Sequence, residues 1–107
     1  MSTSLGEFEQ LVMLALMRLG DDAYGVTVQR ELAKRAKRQV SLATVYTTLV
    51  RLEAKELVGS RLGEPTPQRG GRRKKHYFLE AAGRNALADS LRRIRKMASG
   101  LDTAWDA

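Results

Sequence analysis

The chain has 107 residues, 43% apolar and 29% charged, which suits one globular domain with a single modest core and excludes a disordered polymer. Nineteen lysines and arginines against twelve acidic residues give a formal charge of +7, an imbalance that attracts polyanions, nucleic acid first among them. With no cysteine and one histidine, the sequence offers no disulfide framework, thiolate nucleophile, zinc ribbon or imidazole triad, and no cofactor or metal is expected.

From the N-terminus, Ser4 and Glu7 stand at capping-box spacing. Leu5, Phe8, Leu11, Val12, Ala15, Leu16 and Leu19 then recur at helical intervals, predicting a first helix over 5–19 that ends at Gly20. Val12, Met13, Leu14 and Met17 widen its apolar surface beyond one stripe, which fits either a fully buried central helix or one that also meets a partner subunit. The apolar run from Leu11 to Leu19 is too short to span a bilayer and is interrupted by Arg18, so the expected location is the cytoplasm, with no membrane partner.

Asp21 and Asp22 mark a turn, and a short amphipathic second helix is predicted from about Tyr24 to Lys37. Ser41 is placed to cap a third helix reaching about Leu57, with Leu42, Val45, Leu49 and Leu52 along its apolar face. Two helices joined by a short turn make a helix-turn-helix, in which the outer face of the second helix enters the DNA major groove. Ser41, Ala43, Thr44, Thr47, Thr48 and Arg51 lie off the apolar stripe and form the candidate contact face; the competing reading is an ordinary solvated helix surface. Tyr46 can pack its ring inward while its hydroxyl reaches a phosphate.

After Leu57 the period becomes extended. Val58, Ser60 and Leu62 lead into one strand and Lys75 to Leu79 form a returning strand, separated by a long loop. Arg69, Arg72, Arg73, Lys74 and Lys75, set around Gly70 and Gly71, put five cations at the hairpin tip, where glycines let the backbone approach a phosphate chain. A loop that only keeps the protein soluble is the alternative. Crowded like charges favour a polyanion that relieves them.

The last segment, from about Ala81, places Leu87, Leu91, Ile94, Ala98, Leu101 and Trp105 at alternating steps of four and three, a heptad-like seam flanked by Arg92, Arg93, Arg95 and Lys96. A helix of about 20 to 25 residues there would reach roughly 30 to 37 Å, more than the domain requires, so it is expected to pack on a second copy of the chain. The predicted fold is mainly α with a small β-hairpin: a DNA-binding winged helix-turn-helix over 1–80 and a C-terminal dimerisation helix over 81–107. The acidic residues are scattered and the Gly-Gly pair fits neither a Walker nor a dinucleotide-binding pattern, so no enzyme is expected.

Leu-Gly-Glu-Phe-Glu at 5–9, Asp-Asp-Ala-Tyr-Gly-Val at 21–26, Ser-Leu-Ala-Thr-Val-Tyr-Thr-Thr-Leu at 41–49, Arg-Leu-Glu at 51–53 and Gly-Arg-Arg-Lys-Lys-His-Tyr at 71–77 together resemble the PadR family of bacterial transcriptional regulators. The resemblance runs from Leu5 to about Leu91. It implies a winged helix-turn-helix that dimerises through its N- and C-terminal helices and binds an operator with dyad symmetry, usually as a repressor. It places the residues matching Ser41, Thr44, Tyr46 and Thr47 at the DNA surface, with the wing cations from Arg72 to Lys75. Tyr24 is implied near the phosphate backbone, with a ring packed in the core as its other reading. The chain departs from the family at Glu56, where Gly is common before the first strand, and at Glu80, where Thr often caps the last helix, so those boundaries are expected to shift. The short C-terminus resembles the subgroup with one dimerisation helix.

Two further readings stand beside a sequence-specific dimeric regulator. One is a basic protein that coats nucleic acid without sequence preference. The other adds a small aromatic effector, held in an apolar pocket at the dimer interface among Met13, Met17, Met97 and Trp105.

Overall fold

The computed structural model describes residues 4–65 and 73–101, apart from the side chains of Glu64, Pro65 and Arg73. Helix α1 spans Glu7–Leu19, a 3₁₀ turn covers Gly20–Asp22, and α2 and α3 follow over Gly25–Arg35 and Leu42–Ala54. Strands β1 (Val58–Pro65) and β2 (Arg73–Leu79) form an antiparallel hairpin, and α4 covers Ala81–Ala98. This is the mainly helical, winged helix-turn-helix arrangement that the sequence predicts.

Helix α1 begins two residues later than expected. Its N-cap is Gly6, whose backbone N–H donates to the Glu9 carboxylate at 3.0 Å, so the Glu at the third helical position serves Gly6 and the Ser4/Glu7 pairing is not used. Helix α2 starts at Gly25, after Tyr24, and stops at Arg35 where Lys37 at φ 55° turns the chain. Ser41 caps α3 as expected, its hydroxyl accepting from the Thr44 N–H at 3.1 Å.

The end of α3 comes at Ala54, three residues before the predicted limit. Glu56 takes the left-handed conformation at φ 63°, the Leu57 N–H donates to the Leu52 carbonyl at 3.1 Å and the Glu56 N–H to the Glu53 carbonyl at 2.9 Å. These are the paired bonds of a Schellman ending, built here with glutamate where glycine would be free of steric cost. Glu80 stands at the N-cap of α4 without a side-chain bond to it, as the departure from Thr implies, yet the helix starts at the expected Ala81.

One core joins all of these elements. Val12, Met13 and Leu16 of α1 pack with Val28 and Leu32 of α2, Val45, Leu49 and Leu52 of α3, and Val58, Tyr77 and Leu79 of the hairpin. The first turns of α4 belong to it as well: Leu87 is buried, and Gly83 lies so close to the residue before β1 that a Cβ would stand 2.0 Å from the Leu57 carbonyl oxygen. The Ser90 hydroxyl donates to Gln10 of α1 at 2.9 Å. Helix α4 has 18 residues, about 27 Å, shorter than the predicted length.

Strand β2 starts two residues earlier than predicted and pairs Leu79 with Val58 through Lys75 with Leu62, followed by an irregularity before Arg73 meets Pro65. At its root the Tyr77 N–H donates to the Ala23 carbonyl at 2.9 Å, so the link between α1 and α2 extends the hairpin. No described helix is long and apolar enough to cross a membrane.

Candidate nucleic-acid interface

Helix α3 divides by exposure. Val45, Leu49 and Leu52 turn inward, while Ser41, Ala43, Thr44, Tyr46, Thr47 and Arg51 face solvent. Thr48 is the exception: it is 5% exposed and belongs to the inner face, which removes it from the candidate contact residues. Its position three residues after Val45 and four before Leu52 puts it on the core side of a 3.6-residue period.

Tyr46 is exposed at the surface. Its ring leans over the first turn of α2, where a Cβ built on Gly25 would meet the ring 2.4 Å away and the hydroxyl 2.5 Å away, and 39% of the residue remains accessible. Glycine at 25 is what lets the two helices of the motif come this close. Beneath it, Tyr77 is buried, and burial first, then the neighbouring Tyr46 and Glu53, pushes its phenol above the ordinary value.

Tyr24 is half-buried at the start of α2. Its backbone N–H donates to Thr27 Oγ1 at 2.9 Å, its ring meets His76 edge-on at 5.8 Å between centroids, and the Lys74 ammonium stands 5.3 Å from the ring centroid. The packed reading of Tyr24 is partly realised: the ring meets the buried His76, and a lysine from the hairpin lies over it. Lys74 and Lys75 are exposed on successive positions of β2 and point to opposite faces. The Tyr46 ring, the Gly25 backbone, Tyr24 and Lys74 thus form a continuous path from α3 to the hairpin.

Sequence reasoning missed three contributors. Gly25 stands in the Tyr-Gly motif, but only the Tyr46 ring against it gives it a structural role. Arg61 is exposed on β1 with its guanidinium 5.9 Å from the Phe78 ring, adding a cation to the hairpin. His76, opposite Arg61 in the ladder, is buried. Arg69 and Arg72 lie outside the described residues, as does the Arg73 side chain.

Far from the outer face of α3, Glu9 ties α1 to the end of that helix. Burial favours its neutral form, but the Lys55 ammonium at 2.9 Å, the Gly6 N–H and the charges of Lys55 and Arg51 outweigh that and hold its carboxyl below the usual value. On α4, Leu87 is enclosed in its own protomer, a correction to its place in the predicted dimer seam, and Leu91 is half-buried against the same core. Ile94 is 55% exposed, Met97 80% and Leu101 47%, with Ala98 half-buried between them. Trp105 lies outside the described residues. Met13 is fully buried in the core and does not line the groove between α1 and α2, whereas Met17 is half-exposed there. Among the described residues no group of three acidic, histidine or cysteine side chains is placed to hold a metal.

A Ser-capped helix with a polar outer face, set on a second helix and flanked by a basic hairpin, defines a winged helix-turn-helix protein. The family model for transcriptional regulators of the PadR-like family matches residues 13–89, more than half of the chain, and the chain belongs to that family. Its members regulate transcription by binding DNA.

Solved structures agree in fold. A PadR family transcription regulator from hypervirulent Clostridium difficile R20291 is 24% identical with a TM-score of 0.73, covering 92% of this chain and 97% of its own. A PadR family transcriptional regulator from Eggerthella lenta is 24% identical with a TM-score of 0.67, covering 94% and 88%. A complex structure of H. salinarum RosR, hsRosR-S1, is 26% identical with a TM-score of 0.64, covering 92% and 80%. No curated protein matches the sequence.

Proposed function

We infer that this chain is a sequence-specific, dimeric regulator that represses transcription from an operator with dyad symmetry, and that it catalyses no reaction. The observation that carries this reading is the continuous surface from α3 to the hairpin. Ser41, Thr44, Thr47 and Arg51 offer hydroxyls and a guanidinium to base edges, while Tyr24, Tyr46, Lys74 and Lys75 border them as phosphate contacts. Arg69, Arg72 and Arg73 extend the same role along the wing. Phosphate contacts fix register and base contacts choose sequence, so both sets are required.

Dimerisation is assigned to residues 81–107, in a functional division from the DNA-binding region 1–80 that does not interrupt the shared core. Ile94, Met97 and Leu101 are apolar and exposed on α4, and Met17 is exposed on α1, which supports a second copy as the cover. Two-fold symmetry then presents the two α3 helices to half-sites about one helical turn apart. A small aromatic effector is the second reading, supported by an open groove of about 780 Å³ between α1 and α2 lined by Leu11, Leu14, Met17 and Leu32.

Selection from a random duplex library at about 0.15 M salt tests the main reading. Recovery of an inverted repeat, bound at least about 10³ tighter than random duplex, is the expected result. Retention of duplexes without a shared motif replaces it with a sequence-indifferent coating protein.

A further inference from the structure

His76 is the only histidine in the chain and, being buried, is not itself exposed on the proposed DNA surface. It is 5% exposed, on the face of β2 that also carries Lys74 and Phe78, two positions away on either side. Its Nε2 lies 2.9 Å from the carbonyl oxygen of Gly20, the residue that ends α1 at φ 56°. A carbonyl only accepts, so Nε2 carries the hydrogen and the ring is the Nε2–H form. Its Nδ1, an acceptor in that form, is buried with no hydrogen-bond partner among the described residues. One side of the ring stacks near Phe78 at 6.2 Å and another meets the Tyr24 ring edge-on at 5.8 Å.

We propose that His76 is a positioning residue for DNA binding, clamping the wing root to the end of α1 and so fixing where Tyr24 and Lys74 meet the phosphate backbone. The proposal rests on the DNA-binding reading. A single hydrogen bond fixes the ring's rotation, and the ring in turn supports Tyr24, over which Lys74 is held. Without the bond, Phe78 and the ladder still hold the strand, but the imidazole is free to turn about its side-chain torsions and Tyr24 loses a fixed neighbour. The clamp also makes a direct mechanical connection between α1 and the wing, because Gly20 is the C-cap of that helix.

The test compares wild type, His76→Phe and His76→Gln for binding to mixed-sequence duplex DNA over a range of salt. Phenylalanine keeps the ring but not the N–H; glutamine supplies an N–H at a similar reach. The expected result is a shallower salt slope for His76→Phe, by about 0.9 for each phosphate that is no longer neutralised, with the wild-type slope restored in His76→Gln. A phenylalanine variant with the wild-type slope and affinity, or a glutamine variant as shallow as phenylalanine, overturns the positioning role. Should the phenylalanine variant fail to fold, ¹⁵N spectra of the wild-type imidazole decide: with one histidine per chain the signals are unambiguous, a slowly exchanging Nε2–H is expected, and an Nδ1–H form overturns the clamp. A wild-type protein that binds no duplex at all overturns the DNA-binding reading, and this role with it.

Discussion

Tyr46 occupies the space in which a side chain on Gly25 would have to begin, with its ring 2.4 Å from that Cβ position. The contact joins the two helices of the helix-turn-helix 21 residues apart in sequence, and it holds a tyrosine hydroxyl at the proposed DNA surface. Gly25→Ala is therefore expected to push Tyr46 aside and to weaken duplex binding, with a stability cost of about 1 kcal/mol, since only a side-chain end must yield. In a Tyr46→Ala background the same change should cost little and can become favourable through the better helix propensity of alanine. A double-mutant cycle by urea unfolding measures the coupling; additive effects would refute the contact.

Gly83 faces a harder neighbour. A Cβ there meets the Leu57 backbone oxygen at 2.0 Å, which no rotamer change relieves. Gly83→Ala should displace the start of α4 from the hairpin and cost about 3 kcal/mol or more, visible as a lower urea midpoint. A midpoint within error of wild type would show that α4 does not pack against Leu57 in this way.

Glu9 predicts a specific acid sensitivity. Its folded-state acidity constant lies below the unfolded value of 4.5, so its ion pair with Lys55 contributes stability above that pH and loses it as pH falls through the lower, folded value. The difference in unfolding free energy between wild type and Glu9→Gln should be up to about 1 kcal/mol near neutrality, as for a partly exposed pair, and should fade in the acid range. A pH-independent difference would assign the effect to packing alone.

Arg51 and the wing lysines should separate in DNA binding. Arg51→Ala should weaken binding to the selected site by about 1 to 3 kcal/mol while leaving random duplex nearly unaffected, the pattern of a base contact. Lys74→Ala with Lys75→Ala should weaken both and flatten the salt slope by about 0.9 per phosphate left without its cation. Equal weakening on both DNAs for Arg51→Ala would make it a phosphate contact instead.

Ile94→Glu with Met97→Glu places two charges on the exposed apolar part of α4 and leaves the core residue Leu87 untouched. Sedimentation should change from dimer to monomer at micromolar protein, with affinity for a symmetric site falling because a monomer engages only one half-site. Persistence of the dimer would move its interface elsewhere.

Much of this was legible in the sequence because it is local. The period of Val45, Leu49 and Leu52, the Ser41 cap and the shift to alternation after Leu57 are set by contacts within about one turn or one strand pair, and the elements formed where those signals stood. The family motifs likewise identified the winged helix-turn-helix, and the cation cluster marked the wing. Boundaries that rested on a competition between nearby residues moved: Gly6 with Glu9 took the first cap, and Glu56 adopted the left-handed ending that closed α3 early.

What the sequence by itself determined, then, was the order of elements, the polar face of α3 and the basic character of the hairpin. The tertiary structure decided that Met13 and Leu87 serve their own protomer, that Tyr46 needs Gly25, and that His76 reaches back 56 residues to Gly20. Each of these depends on which surfaces meet across the core, and side-chain period reports only which way a residue points along its own helix or strand, not what stands opposite it.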